Sequence, residues 1–167
     1  MPTTDLAVFC FQFVACTMAV LCLVRWYLLP ALAPLPPRKQ LEFLLLPFLI
    51  RFLGSSTLVS GVVGPDYSTA CAQVATVLDP LSFALALTSL FALRAGSRWS
   101  LPLVVAFLAE ALVFSVLLLW VDGPTGPIAE LHAHWYVATV VVPILIVFQV
   151  LVLLTTARHW RVLWAAA

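Results

Sequence analysis

Five long apolar runs, each ended by turn-forming or charged residues, constrain this 167-residue chain more than any other feature of it. They cover about residues 6–29, 41–63, 69–93, 99–121 and 134–154. A helix needs about 20 apolar residues to cross the hydrocarbon core of a bilayer, and each run supplies that length. The stops are "LPALAPLPPRKQ", "GPDYS", "RAGSR", "DGPTGP" and "TTARHWRVLW", rich in the residues that punctuate helices. The runs are continuous, not alternating, which excludes a membrane β-barrel. Only 9% of residues are charged, against about a quarter in soluble domains. The expected fold is therefore all-α: a polytopic membrane protein with five transmembrane helices in one bundle, a single transmembrane domain over residues 1–167.

Basic residues orient the bundle. Arg25, Arg38, Lys39, Arg94, Arg98, Arg158 and Arg161 fall on one side of a five-span arrangement, and Asp5, Asp66, Asp122 and Glu130 fall on the other. The expected topology has the N-terminus outside or lumenal and the C-terminus cytoplasmic, in a cell membrane or an endoplasmic-reticulum-type membrane. Trp26, Tyr27, Trp99, Trp120, Trp135, Tyr136 and Trp160 lie near span ends, where an aromatic belt belongs. "MPTTDL" has no basic leader and reads as a short tail before a retained helix. Cys10, Cys16, Cys22 and Cys71 form no CxxC pair and read as small buried apolar residues. Nucleotide-binding and nucleophile-elbow patterns are absent, and the basic residues carry topology rather than a nucleic-acid patch.

Inside the spans lie three ionisable residues: Arg51, Asp79 and Glu110. Counted from the acidic side, they sit 12, 10 and 11 residues from Val63, Thr69 and Val121. At about 1.5 Å per residue, all three reach the bilayer middle. A lone charge there costs at least about 2.5–3.5 kcal/mol, so pairing or a wet cavity is required. Arginine stays protonated. The economical arrangement pairs one carboxylate with Arg51 and leaves the other carboxyl neutral, a ready proton donor in an apolar site. The competing expectation is an ion-pair staple that only fixes helix packing.

Pro80 and Pro143 remove hydrogen bonds from the carbonyls of Thr76 and Thr139, and are expected to help open a pocket between helices. Further polar candidates for its lining are Gln12, Ser55, Ser56, Thr57, Gln73 and Gln149. "ELHAHW" places Glu130, His132 and His134 at the mouth of the last span. A His-x-His pair lacks the further ligands a metal requires, so no metal and no cofactor is expected, and His134 reads as a polar group at the pocket mouth.

The chain resembles the EXPERA group of five-span membrane proteins, which includes the emopamil-binding and sterol-isomerase type. The basic proline loop "LAPLPPRKQLEFLLL", the "PLS" of Pro80-Leu81-Ser82, and the outer loop leading into "HWYVATVVVPILIVFQVLVLL" and "TARHW" carry the likeness. It departs at the isomerase's catalytic positions. The core of the second span has no histidine or glutamate, and Cys71 falls where the group's third-span glutamate belongs. The chain also has a looser similarity to small integral-membrane terpene cyclases, which start carbocation cascades with intramembrane acids.

Both resemblances imply acid-initiated chemistry on an isoprenoid- or sterol-like lipid, either cyclisation or double-bond isomerisation. The expected catalytic residues are Glu110, Asp79 and Arg51, with Glu110 the proton donor and Asp79 the partner of Arg51. Phe83, Phe107, Phe114, Trp135 and Tyr136 are expected to face the substrate with their rings, beside Ser55, Gln73, His134 and Gln149. The expected partners are that hydrophobic small molecule and membrane lipids, with a homodimer left open. The alternatives are a non-catalytic lipid- or amine-binding membrane protein and, third, a small transporter, which would want a polar file across the membrane instead of one plane.

Overall fold

A computed structural model of the chain describes residues 3–122 and 130–165. Residues 123–129, within the expected outer loop before the last span, lie outside the described residues. Among the described residues, five helices are long and apolar enough to cross a membrane: Thr4–Leu32, Pro37–Leu58, Thr69–Arg94, Ser100–Leu117 and His132–Ala165.

The first combines α1 (Thr3–Leu23), a π turn at Val24–Leu28, and α2 (Leu29–Leu32). It continues beyond the expected stop at Leu29 and through Pro30. Proline has no N–H to give the carbonyl four residues back, so the winding loosens just before it. The N–H of Leu29 bonds the Val24 carbonyl instead. Pro143 repeats the device: a π turn at Val137–Val141 precedes it, and the N–H of Val142 bonds the Val137 carbonyl. Pro80 provokes no such turn. It lies inside α4 (Thr69–Arg94) on the exposed face, so it lines nothing inside the bundle.

The last helix, α6 (Val142–Ala165), runs through "TTARHWRVLW", where the span was expected to end at Leu154. That stretch has charges but neither Gly nor Pro. Charge marks where a helix leaves the apolar layer and does not stop its winding. Trp160 and Trp164 stack one turn apart at 5.9 Å on this extension.

The second span departs furthest from expectation. It begins as α3 (Pro37–Leu45), then winds as a 3-10 helix over Leu46–Leu58. Such runs seldom exceed three or four residues. Pro47 at its start removes an α-type donor, and Gly54-Ser55-Ser56-Thr57 are weak α formers. Ser55 and Thr57 donate their hydroxyls to the carbonyls three residues back, of Phe52 and Gly54. Val59 to Val63, expected to be helical, form a turn with a Ser60–Val63 bridge and a positive φ at Gly61.

α4 is the middle of the bundle. It packs against the 3-10 segment on one side and α5 (Ser100–Asp122) on the other, while α3 and α1 both pack on α6. The main core joins Leu41, Leu44, Leu45 and Phe48 to Ala86, Leu101, Val104, Phe107 and Val152. The first span contributes little to it. Its Phe11, Val14, Met18 and Leu23 face outward, as do the rings of Trp26, Tyr27, Trp99, Trp120 and Tyr136. The cysteines also correct the expectation of burial: Cys71 alone of the four is buried, and Cys10 is exposed.

Candidate functional site

The 3-10 winding creates the site. Three residues per turn place positions i, i+3 and i+6 in one column. The buried residues of the segment are Phe48, Arg51, Gly54 and Thr57, spaced by three throughout. In an α-helix that spacing would drift around the axis. Winding also sets depth. Arg51 lies seven residues from Leu58, and at about 2.0 Å per residue that is ~14 Å. Asp79 reaches a similar depth from Thr69 by ten residues of about 1.5 Å.

α4 buries Cys71, Ala75, Asp79, Ser82, Ala86, Ser89, Leu90 and Leu93, a seam stepped mostly by three and four. Most are small, which lets helices approach closely in an apolar medium. Arg51 donates through Nε to Oδ1 of Asp79 at 2.9 Å, with both side chains buried. Gly54 sits one 3-10 turn beyond Arg51. A β-carbon there would overlap the Asp79 carboxylate, so glycine makes the slot into which the carboxylate fits.

α5 closes the other side. The Arg51 guanidinium lies 4.3 Å from the centroid of the Phe114 ring. Phe107 packs edge-on against Phe48 at 4.7 Å, both fully buried. Between those two rings on α5 is Glu110. Ser82, three residues after Asp79 on α4, donates its hydroxyl to Oε2 of Glu110. Oε1 of Glu110 is buried and has no hydrogen-bond partner among the described residues. Arg51–Asp79 and Ser82–Glu110 thus form two polar pairs that join three helices at neighbouring positions of α4, with the cation engaged by Asp79.

The remaining candidates lie elsewhere. Phe83 packs edge-on with Phe52 at 6.0 Å. Ser55 is spent on its own backbone. His134 belongs to a second polar group: its Nδ1 lies 3.3 Å from the hydroxyl of Ser56, and Ser56 is five residues from Arg51, about 10 Å along the 3-10 axis. Trp135 donates its indole N–H to Gln12 at 2.6 Å and meets Phe9 edge-on, so it ties the last span to the first. Tyr136 is 70% exposed. Gln73 is exposed and Gln149 half-buried, apart from the cluster's contacts. Among the described residues, no group of three His, Cys, Asp or Glu side chains is placed to hold a metal.

Sequence reasoning did not single out Ser82, Gly54 or Phe48 as site residues. The signal for Ser82 was its spacing of three from Asp79, which shares a helix face. The signals for Gly54 and Phe48 were visible only if a period of three was tried for the second span.

No curated protein and no solved structure gives a significant match to the chain. A domain of unknown function, DUF8737, matches residues 8–156, nearly the whole described bundle, and the chain belongs to that family.

Proposed function

We propose that this chain is a multi-pass integral membrane protein, with its basic end cytoplasmic, and that its mid-bundle cluster is an acid site for an isoprenoid- or sterol-like lipid. The buried, unpartnered Oε1 of Glu110 carries the reading. Asp79 occupies the arginine, so Glu110 has no cation of its own, and in apolar surroundings a carboxyl without one is held most economically with its proton on. Glu110 then gives that proton to an alkene or epoxide of the lipid. The Glu110 O–H bond breaks together with the alkene π bond or one epoxide C–O bond, a C–H or O–H bond forms, a carbocation is left on the substrate, and loss of a neighbouring proton to the Glu110 carboxylate makes the new double bond. The cycle returns the proton and needs no redox partner. Asp79 and Arg51 keep their charges paired and fix the slot, and Ser82 orients the carboxyl.

The second reading is a non-catalytic binder in which Oε1 accepts a hydrogen bond from the hydroxyl or amine of an apolar ligand. Its support is that the rings expected to steady a cation are engaged: Phe114 under Arg51, Phe107 with Phe48, Phe83 with Phe52.

Detergent-purified protein incubated with polyprenyl and sterol substrates separates the two. The acid site expects product from wild type and a loss of at least about a hundredfold in Glu110→Gln, the usual share of general-acid catalysis, with the helical fold intact. Full turnover in Glu110→Gln sinks the acid role. Absence of turnover, together with saturable ligand binding that Glu110→Gln weakens, establishes the binder.

A further inference from the structure

A second polar site lies at the basic end of the bundle, where three helices part. An open cavity of about 380 Å³ is bounded by the start of α3, the end of α4 and the last turns of α6. Arg38, Lys39 and Arg94 stand around it, and Glu42 is the one acid in its lining. Glu42 is buried, with Lys39 at 2.8 Å and Arg94 at 3.5 Å from the same carboxylate oxygen. Lys39 and Arg94 thus share one carboxylate while their own side chains stay more than half exposed, and the lining carries more cations than acids.

The rest of the lining suits an amphiphile. Leu93 and Leu163 are buried members of the main core, so the cavity has a basic rim and an apolar floor. α3 begins here at Pro37 without a side-chain cap, and the positive end of its dipole adds to the rim. Gly96, with φ of +62°, lets the chain turn closely under Arg38, whose Nη1 would lie 3.3 Å from a β-carbon at that position.

We propose that this cavity binds phosphate, presented as the headgroup of an anionic lipid whose chains lie along the apolar floor. Arginines engage phosphate oxygens in pairs of parallel hydrogen bonds, and basic pockets between membrane helices are suited to such headgroups. The inference rests on the bilayer-spanning half of the functional reading and is independent of the acid chemistry.

Native mass spectrometry with added phosphatidylglycerol or phosphatidylcholine tests the site, alongside melting curves in phosphatidylcholine nanodiscs with and without millimolar inorganic phosphate. Wild type should retain phosphatidylglycerol preferentially. Arg38→Gln/Arg94→Gln should lower that preference roughly tenfold or more, since each basic residue contributes severalfold. Val162→Phe fills the cavity while leaving every charge in place, and should lower it too, which keeps the test valid if the double variant folds poorly. Arg158→Gln/Arg161→Gln removes charge from the same end outside the cavity and should leave the preference standing, as should Glu110→Gln. Stabilisation by inorganic phosphate that matches the lipid's, and disappears in the cavity variants, supports the site with a free anion as its source. Equal binding of both lipids with no phosphate effect overturns the proposal. So does an equal loss in the Arg158/Arg161 variant, which would reduce the preference to diffuse charge.

Discussion

Two ion-pair groups in this bundle use the same chemistry in opposite surroundings. Arg51 and Asp79 meet at 2.9 Å with side chains 7% and 8% exposed. At the basic end, Glu42 is equally buried, but its partners Lys39 and Arg94 are 52% and 61% exposed. The first pair has exchanged water for one another, a ring face and a glycine slot. The second shares its cations with solvent, which leaves them available to another anion. The inner pair is therefore rigid and costly to break, and the outer group is adaptable and cheap to alter.

Unfolding measurements in detergent sharpen that contrast. Arg51→Met should be the most damaging change, at about 3–5 kcal/mol, because it strands a buried carboxylate. Arg51→Met/Asp79→Leu should recover most of the loss. A double variant as unstable as the single would mean the damage lies in packing and not in the uncompensated charge. Gly54→Ala should cost roughly 1–3 kcal/mol through its clash with the Asp79 carboxylate. Wild-type stability in this variant would mean that the two helices do not approach so closely. Ser82→Ala should cost about 1 kcal/mol for the lost hydrogen bond to Glu110. If it also changes turnover or ligand binding while Thr88→Ala, whose hydroxyl bonds only its own helix, does not, Ser82 positions the acid. Lys39→Gln should be smallest, about 0–1 kcal/mol and shrinking with salt. A cost near that of Arg51→Met would erase the distinction between the two groups.

Much of the architecture was legible because long apolar helices advertise themselves by length and hydropathy. The five helices appear where the apolar runs lie, and the three ionisable residues stand out against apolar neighbours. The ends were less legible, for a common reason. Proline and charge are read as stops, yet Pro30 is absorbed by a π turn, and Arg158 and Arg161 sit within a helix that continues to Ala165. Within the candidate site, the polar atoms were visible but their company was not. Ser82 entered only as part of the "PLS" that carries the family likeness, and Phe114 looked like a substrate-facing ring rather than the surface on which Arg51 rests. The basic-end cavity was harder still, since Arg38, Lys39 and Arg94 are individually indistinguishable from topology signals.

The sequence by itself determined that this chain makes five apolar helices, with basic residues gathered toward one end, the acids other than Glu42 toward the other, and one arginine and two acids inside. Those follow from composition along the chain, because desolvation penalises charge wherever it falls in an apolar run. Only the tertiary structure decided which acid takes the arginine. That choice depends on the winding of the second span: three residues per turn bring Phe48, Arg51, Gly54 and Thr57 into one column, and the missing side chain of Gly54 admits Asp79. The same packing leaves one oxygen of Glu110 without a hydrogen-bond partner among the described residues, while Arg51 is engaged by Asp79.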